Sequence, residues 1–512
     1  MSYIHNEEAD FASSELARMF AANGGLCYNQ IELANRPEFS AYATHEPSNT
    51  CWPLADGVVS LQKTAGNGQE NVAVEYKRVT EGVHGLLTAI GQTLSYIDKG
   101  YNGAVMVIPR EYSSHQTPAD HVLSVLNTNN IDDRIGIFDY EPPDKNSAYP
   151  FSEKLRCIRP LTIGQPREGV RVQSGQPNTQ WAHLREGSTT RDVLYSYLKS
   201  AIRLTNGGSD NNFEIPAELT DAILRIDNNA VPLEYLSYTS DNSMNSRTWR
   251  DFWFGNIATR EVLTPYILEN NLYSAPQAFT RVLKDDGSGY SRIFEGRANG
   301  LKEFLVEKLN SHEINENVAW EYMAKGYTLP GQNKQGVRDR AHSYREDVDS
   351  AVAQLQWVDN GGYPTEAGYK FVNICERFGG ANSALAKEYF GATLIQTGHY
   401  GTFLHYVYRL SESFFSENSL AFTNNVDGNP VFNENSYWEY LSCIQDHLVD
   451  DLRVMHIAPG RNRPRTRTTF QTELTFLRKY GFLSENRAQR YRLGVGLPIN
   501  WVKVHEAIQI EL

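Results

Sequence analysis

One short segment decides the fold of the N-terminal part of the chain: Val72-Ala73-Val74-Glu75-Tyr76-Lys77-Arg78. Successive side chains of a β-strand point to opposite faces, so Glu75 and Lys77 share one face with Ala73, while Tyr76 and the two valines share the other. The pattern therefore predicts a strand with one apolar face, and with a carboxylate and an ammonium group presented together on the opposite face.

A second carboxylate is expected beside this pair. Asp56 directly precedes Gly57–Leu61, an apolar segment typical of a strand. The residues between the two strands, 63–71 (KTAGNGQEN), are rich in Gly and Asn, as a turn requires. If the two strands form a hairpin, Asp56 lies near Glu75, so the sequence predicts two carboxylates and a lysine in one place.

Strands and helices alternate around this hairpin. Two more strands are predicted at Ala104–Pro109 and Arg134–Tyr140. Helical periodicity predicts three helices, at Phe11–Ala22, Gly85–Asp98 and Ala119–Asn127. This alternation indicates an α/β domain over residues 1–164, with a mixed sheet flanked by helices.

The rest of the chain is predicted to be mainly helical. Residues 165–185 are rich in Gln, Gly and Pro without periodicity, which indicates a linker. The segments that follow are a helical middle domain at 186–310, a winged-helix-like module at 311–380, and a helical region with a second such module at 381–512. Helices were predicted here at Thr190–Thr205, Pro216–Asp227, Arg260–Asn270 and Ala298–Asn310.

Each winged-helix-like module combines helices with a short hairpin or strand. In the first, a helix at Val348–Leu355 precedes a turn on Asn360-Gly361-Gly362 and a second helix. In the second, a helix at Phe470–Tyr480 precedes a polar turn and a strand at Arg490–Leu493. Such modules bind DNA in some proteins and only pack or dimerise in others, so both roles stay open.

Charge is unevenly distributed along the chain, whose net charge is −13. Residues 453–492 hold nine Arg and one Lys against two Glu, a balance of +8, which leaves −21 for the remainder. Four of these arginines alternate with polar residues, as in an extended arm: Arg461, Arg463, Arg465 and Arg467. Such an arm is suited to binding DNA phosphates, or alternatively to pairing with the acidic remainder of the chain.

Several classes of protein are disfavoured. No apolar run approaches 18 residues and the first residues are acidic, so we expect neither a membrane span nor a signal peptide, and a cytoplasmic location. The absence of a GxxxxGK[ST] motif argues against a P-loop motor. The five cysteines lie far apart without a CxxC pair, which excludes a zinc ribbon.

In order and in element type, these residues resemble the PD-(D/E)xK nuclease superfamily, whose members have restriction-endonuclease-like folds. Asp56 matches the first acid of the motif, Glu75 the second and Lys77 the lysine. The resemblance covers roughly residues 10–140. The sequence departs from the pattern at Pro53, which lies three residues before Asp56 instead of next to it.

Two further features match subgroups of this superfamily. Glu15, on the first predicted helix, lies where many members have an additional metal-linked glutamate. Gln92 and Tyr96 form a Q-x-x-x-Y pattern on the helix after the lysine, and their spacing places both on one helix face.

The resemblance implies a Mg²⁺-dependent endonuclease that hydrolyses the phosphodiester bonds of double-stranded DNA. Its Mg²⁺, for which Mn²⁺ substitutes, would be held by Asp56, Glu75 and Glu15, with Lys77 and Gln92 completing the catalytic set. A restriction or phage-defence enzyme is expected. Because one site cuts one strand, a homodimer is expected as well.

Two other hypotheses stay open. The first is a defence or recombination nuclease that needs a partner protein and has little sequence preference of its own. The second is a winged-helix DNA-binding regulator whose nuclease domain is inactive, although the complete set of Asp56, Glu75 and Lys77 argues against that reading.

Overall fold

The structure is a computed structural model of the 512-residue chain. It describes residues 2–35, 39–44, 52–63, 68–112, 115–142, 153–166, 181–185, 187–213, 215, 217–255, 281–283, 290–292, 298–329, 332–417, 422–426, 429–432, 434–451, 454–455, 470–484, 497 and 499–512. Contacts between residues divide the chain into two compact units. The first joins Met1–Trp181 with His399–Glu511, and the second is Ala182–Gly398 with Leu512. The first unit thus combines segments that the sequence analysis assigned to different domains.

The first unit contains a six-stranded mixed sheet, as predicted for an α/β domain. Its strands are β1 (Phe39–Thr44), β2 (Gly57–Lys63), β3 (Gln69–Tyr76), β4 (Gly103–Pro109), β7 (Ile135–Glu141) and β8 (Glu153–Arg159). Strands β5 (Glu111–Tyr112) and β6 (His115–Gln116) form a separate two-stranded ribbon. The order across the sheet is β1-β2-β3-β4-β7-β8. Strands β3, β4 and β7 run parallel, whereas β1, β2 and β8 pair antiparallel to their neighbours.

Helices cover both faces of this sheet. Those that precede or connect its strands are α1 (Ser2–Ala22), α2 (Gln30–Asn35), α3 (Gly82–Lys99) and α4 (Pro118–Thr128). Val72, Val74 and Tyr76 of β3 belong to the core that includes α1, and Ala73 belongs to the core that includes α3 and α4. The alternation predicted from the sequence of β3 is therefore confirmed.

All four predicted strands and all three predicted helices of this domain are present, and the main differences lie at its edges. Helix α1 begins at Ser2, nine residues before the predicted start. Strands β1 and β8, which were not predicted, are the two edge strands of the sheet. The sequence of β1 (FSAYAT) is short and dominated by small residues, and that of β8 (EKLRCIR) carries charges, as edge strands commonly do.

Residues from the C-terminal part complete the first unit. They form α14 (Tyr400–Glu417), α15 (Glu434–Asp446), α16 (Gln471–Lys479), α17 (Trp501–Gln509) and a hairpin of β13 (Phe422–Val426) and β14 (Asn429–Phe432). Helix α14 contacts α1, and the hydroxyl of its Tyr406 is hydrogen-bonded to that of Ser14. Trp181, at the end of the predicted linker, is buried and donates a hydrogen bond to Glu473 on α16.

The second unit is built from helices, in agreement with the predicted helical region. They are α5 (Arg191–Thr205), α6 (Ala217–Ile226), α7 (Pro232–Ser237), α8 (Met244–Trp253), α9 (Ala298–Asn310), α10 (Glu316–Lys325), α11 (Val337–Gln354), α12 (Glu366–Phe378) and α13 (Ala384–Ile395). Two short hairpins accompany them, formed by β9 (Arg281–Leu283) with β10 (Tyr290–Arg292) and β11 (Tyr327–Leu329) with β12 (Gln332–Lys334). The helix predicted at residues 260–270 lies outside the described residues.

The segments interpreted as winged-helix-like are described to different extents. Between α11 and α12 the predicted hairpin is a tight turn with one bridge, Val358 to Pro364, and the Asp359 carboxylate accepts hydrogen bonds from two backbone N–H groups of the turn. In the second segment, α16 is followed by a bridge between Leu483 and Ile499. The strand predicted at residues 490–493 lies outside the described residues.

The sequence predicts no membrane-spanning segment, and the length and hydropathy of the helices can be compared with that prediction. Among the helices of the described residues, none combines the length and the apolar character needed to cross a bilayer.

The packing of α1 on the start of β2 leads to a testable prediction. A Cβ atom on Gly57 would lie 2.0 Å from Oγ of Ser13, which is buried and hydrogen-bonded to the Ala9 carbonyl oxygen. Gly57→Ala is therefore expected to lower the free energy of unfolding by about 1–3 kcal/mol, through overpacking. Urea denaturation measures this change.

Gly91 provides the matched control, because it lies on α3 and a Cβ atom there would meet nothing within 4 Å. Gly91→Ala is expected to stabilise the protein by about 0.5–1 kcal/mol through helix propensity. Equal effects of the two substitutions would contradict the close packing of α1 against Gly57.

Candidate active site

The antiparallel pairing of β2 with β3 brings the two predicted carboxylates together. Gly57 is the register partner of Val74, so the preceding residue, Asp56, falls opposite Glu75. Oδ2 of Asp56 accepts a hydrogen bond of 2.8 Å from the backbone N–H of Tyr76. The hairpin predicted from the sequence therefore positions Asp56 at the end of β3, beside Glu75.

Glu75 is fully buried and is held at both carboxylate oxygens. Nζ of Lys77 lies 2.5 Å from its Oε1. The Tyr96 hydroxyl on α3 donates a hydrogen bond to its Oε2 and lies 2.9 Å from the carbonyl oxygen of Leu54. The predicted triad of Asp56, Glu75 and Lys77 is thus assembled in one place, and Tyr96 links it to the segment that leads into β2.

The electrostatics of the two carboxyl groups are unfavourable for full ionisation. Burial, together with the charge of Asp56, raises the pKa of Glu75 to about 7, although Lys77 acts in the opposite direction. Burial also raises the pKa of Asp56, against the effect of His5. Two neighbouring carboxyl groups with raised pKa values form a place where an additional positive charge would be stabilised.

The ammonium group of Lys77 lies between two carboxylates. Besides Glu75, its Nζ is 3.7 Å from Oε2 of Glu81. Glu81 is itself held by the backbone N–H of Arg78, at 3.0 Å. Because Lys77 is buried and contacts acids on two sides, its position is tightly constrained, and it is oriented toward the carboxylate pair.

His5 is a member of the site that the sequence analysis missed. Its Nε2 lies 3.5 Å from Oδ2 of Asp56 and 2.9 Å from the backbone carbonyl oxygen of Tyr76. Helical spacing places His5 near the face of α1 that carries the buried Ala9 and Leu16. Extending the apolar periodicity of α1 toward the N-terminus would have found it.

Gln92 lies one helical turn before Tyr96 on α3, as predicted. Its Oε1 atom is buried and has no hydrogen-bond partner among the described residues. Buried amide oxygens are nearly always hydrogen-bonded, so this acceptor is suited to a water molecule or a ligand. The predicted role of Gln92 at the site stays a prediction.

Glu15 is not brought to the carboxylate pair by any contact in the described part of the chain. Its carboxylate accepts hydrogen bonds from Arg18, with Oε1 2.5 Å from Nη2 and Oε2 2.9 Å from Nε. It lies ten residues beyond His5 on α1, about 15 Å along the helix axis at 1.5 Å per residue. The helix thus contributes His5, rather than Glu15, to the surroundings of Asp56.

The other predicted site residues lie outside the described residues. These are the four arginines of the proposed arm, Arg461, Arg463, Arg465 and Arg467. Their proposed contact with DNA phosphates stays a prediction.

Asp56 and Glu75 are the acidic side chains at the site that could hold a metal ion. Within the described ranges, no group of three or more His, Cys, Asp and Glu residues is placed to hold one. Mg²⁺, however, needs only one or two carboxylates because it keeps several water molecules. Asp56 and Glu75 supply two carboxylates with raised pKa values, a donor set that fits Mg²⁺ and does not fit a site made entirely of protein ligands.

Comparisons with known proteins do not assign the chain to a family. No protein-family model matches it, and a search of curated proteins found no relative.

The raised pKa of Glu75 predicts a pH-dependent stability. Its pKa is about 7 in the folded protein and about 4.3 in an unfolded chain, so unfolding releases a proton between these values. The contribution of Glu75 to stability is therefore complete below pH ~4 and is lost as the pH rises to ~7. Glu75→Gln is expected to remove this decline and to raise the free energy of unfolding at pH 8 by roughly 2–4 kcal/mol, measured by urea denaturation in EDTA.

Glu473 provides a comparison within the same unit. Burial raises the pKa of Glu473 to about 7 as well. Glu473→Gln is therefore expected to remove a pH dependence of stability of the same sign, and the double variant is expected to remove both contributions. An unchanged pH slope in Glu75→Gln, next to a reduced slope in Glu473→Gln, would show that the Glu75 carboxyl is not protonated in the folded protein at neutral pH.

Proposed function

We propose that this protein is a Mg²⁺-dependent endonuclease that hydrolyses DNA phosphodiester bonds. One observation carries the proposal: Asp56 and Glu75 lie opposite each other at the end of a hairpin, with the Lys77 ammonium group 2.5 Å from Glu75. Phosphodiester hydrolysis needs acidic ligands for a hard cation and a nearby positive charge for the phosphate, and this arrangement supplies both.

In the proposed mechanism, Asp56 and Glu75 would hold Mg²⁺. When bound there, Mg²⁺ would supply Lewis-acid stabilisation of the phosphate and activation of a water molecule. The Tyr96 hydroxyl orients Glu75, and the backbone N–H of Tyr76 orients Asp56. His5 approaches the same Asp56 oxygen from α1.

Lys77 acts on the nucleophile and the phosphate. Its ammonium group forms ion pairs with Glu75 and Glu81, which restrain it, so it is suited to orienting the attacking water. The water oxygen forms a bond to phosphorus while the bond from phosphorus to one ester oxygen breaks. The water protons pass to solvent and to the leaving oxygen. The charge that develops on the phosphate is offset by Lys77.

The remaining parts of the chain are assigned corresponding roles in this proposal. The N-terminal sheet would be of the restriction-endonuclease-like type, and the segments around α11–α12 and α16 would be winged-helix-like modules that select where the enzyme acts. The arginine arm at residues 461–467 would bind phosphates. Cleavage of both strands would need a homodimer, and a restriction or phage-defence role would follow. A requirement for a partner protein is the alternative.

Substitution of the three central residues tests the proposal. Asp56→Asn, Glu75→Gln and Lys77→Ala are each expected to reduce cleavage of plasmid DNA by at least a thousandfold, because each group acts on the metal or on the water. DNA affinity is expected to stay within about threefold of wild type, since phosphate contacts elsewhere dominate binding. Gel assays with Mg²⁺ and fluorescence anisotropy measure the two quantities.

Glu388, an exposed acid on α13, is the matched control, and Glu388→Gln is expected to cut at the wild-type rate. Wild-type cleavage by Lys77→Ala at saturating Mg²⁺ would refute the assignment of the site. Binding without cleavage by the wild-type protein, under every metal condition, would instead favour a partner-dependent nuclease or a DNA-binding regulator.

The identity of the metal ion provides an independent test. Mg²⁺ and Mn²⁺ are expected to support cleavage, whereas Ca²⁺ is expected to support binding alone. Ca²⁺ is larger and takes more ligands in a looser geometry, so it offsets charge without positioning the water. Cleavage that continues at its full rate in EDTA would exclude the proposed mechanism.

A further inference from the structure

Trp52 is exposed to solvent to an extent that is unusual for tryptophan. Its exposed fraction is 85%, and that of Leu54, two residues later, is 56%. Tryptophan is on average among the most buried residue types, and Trp181, Trp249 and Trp357 are fully buried in this chain. The large apolar surface of Trp52 thus faces water, next to a second exposed apolar side chain.

The segment that carries these two side chains is anchored to α3. The carbonyl oxygen of Pro53 accepts a hydrogen bond of 2.6 Å from Nζ of Lys99, and that of Leu54 lies 2.9 Å from the Tyr96 hydroxyl. Pro53 itself is buried. Trp52 is therefore attached to a segment whose backbone is held at successive residues.

The same segment leads directly to the candidate active site. Leu54 is connected to Glu75 through a single hydroxyl group, that of Tyr96. Trp52 precedes Asp56 by four residues, so their Cα atoms are at most about 14 Å apart, even in a fully extended chain. A strand whose phosphate lies at the carboxylate pair would place its neighbouring bases within reach of Trp52.

We propose that Trp52, supported by Leu54, stacks on the bases of the DNA strand that is being cut. The inference rests on the proposed nuclease function and specifies its substrate: DNA whose bases are unstacked at the cleavage point, either single-stranded or locally unpaired. Every base has an aromatic face, so this contact would hold the strand without reading its sequence. An inserted apolar side chain also stabilises a kinked duplex.

The size of the surface favours bases over a second copy of the chain. A stable protein–protein interface buries about 1,200–2,000 Å² in total, whereas one aromatic side chain contributes about 150–250 Å². Trp52 and Leu54 therefore suit one or two bases. Base stacking on an aromatic side chain changes affinity by about 5- to 150-fold per base, so the loss of Trp52 is readily measurable.

The test uses the full-length protein, a labelled 20-nucleotide single strand and the matching duplex, with fluorescence anisotropy in Ca²⁺ and in EDTA. Trp52→Ala is expected to weaken single-strand binding at least tenfold and duplex binding less, while Trp52→Phe keeps most of the affinity. Ile31→Ala is the control, because Ile31 lies on α2 with an exposed fraction of 78%, and no change is expected. Circular dichroism of each variant checks the fold.

A second measurement compares cleavage in Mg²⁺ of a duplex with a three-base unpaired bubble and of the fully paired duplex. The wild-type protein is expected to prefer the bubble, and Trp52→Ala to lose that preference. Unchanged single-strand affinity and unchanged preference in Trp52→Ala would overturn the inference, and so would a wild-type protein that binds no single strand. A shift from dimer to monomer in sedimentation, without a change in DNA affinity, would assign Trp52 to a protein interface instead.

The two proposals can fail separately. If the wild-type protein cuts no DNA but Trp52→Ala loses single-strand binding, the nuclease function fails and the stacking role stands. If Asp56→Asn abolishes cleavage while Trp52→Ala behaves as wild type, the nuclease function stands and the stacking role fails.

Discussion

A shift of one residue in the pairing of β2 with β3 would turn every side chain of one strand to the opposite face of the sheet. In the observed register Gly57 faces Val74, and the candidate site depends on this alignment because it places Asp56 against Glu75. Helix α1 reinforces the register, since its buried Ser13 occupies the space that a side chain at position 57 would need. The hairpin and the helix that covers it thus determine the relative positions of the two acids.

The assembled site is electrostatically incomplete. Among the described contacts, Lys77 supplies the only ammonium group that forms an ion pair at the carboxylate pair. Lys77 also forms an ion pair with Glu81, so its positive charge is shared. Both acids have pKa values above their usual range because burial removes water from them. Glu75 is fully buried, and a buried carboxylate costs free energy of folding even where an ion pair offsets part of that cost. An acid that lowers stability in this way is a candidate for a functional role.

The features that could be predicted were those with a local signal. The alternation in β3 and the apolar segment after Asp56 predicted the hairpin, and the spacing of Gln92 and Tyr96 predicted a shared helix face, from which Tyr96 contacts Glu75. Edge strands β1 and β8 lacked such a signal, because they bury less apolar surface than the central strands.

Contacts between distant parts of the chain were also not predictable. His5 approaches Asp56 across 51 positions of sequence. Extending the periodicity of α1 places His5 on the buried face of the helix but does not identify Asp56 as its partner. The grouping of residues 399–511 with the N-terminal sheet depends on contacts such as that between Ser14 and Tyr406, which periodicity within a segment cannot reveal. The candidate site was therefore more visible in the sequence than the organisation of the chain around it.

The composition of the first unit from both parts of the chain has a consequence during synthesis. A ribosome makes residues 1–181 first, then the whole of the second unit, and only afterwards α14 with Tyr406, the partner of Ser14 on α1. More than two hundred residues are therefore synthesised after the N-terminal segment before α1, which carries His5, can contact α14. A nascent chain that has not reached α14 has the sequence of the β2–β3 hairpin but lacks this contact to the helix that covers it. The packing of the helix that carries His5 is thereby tied to synthesis of the chain beyond residue 398.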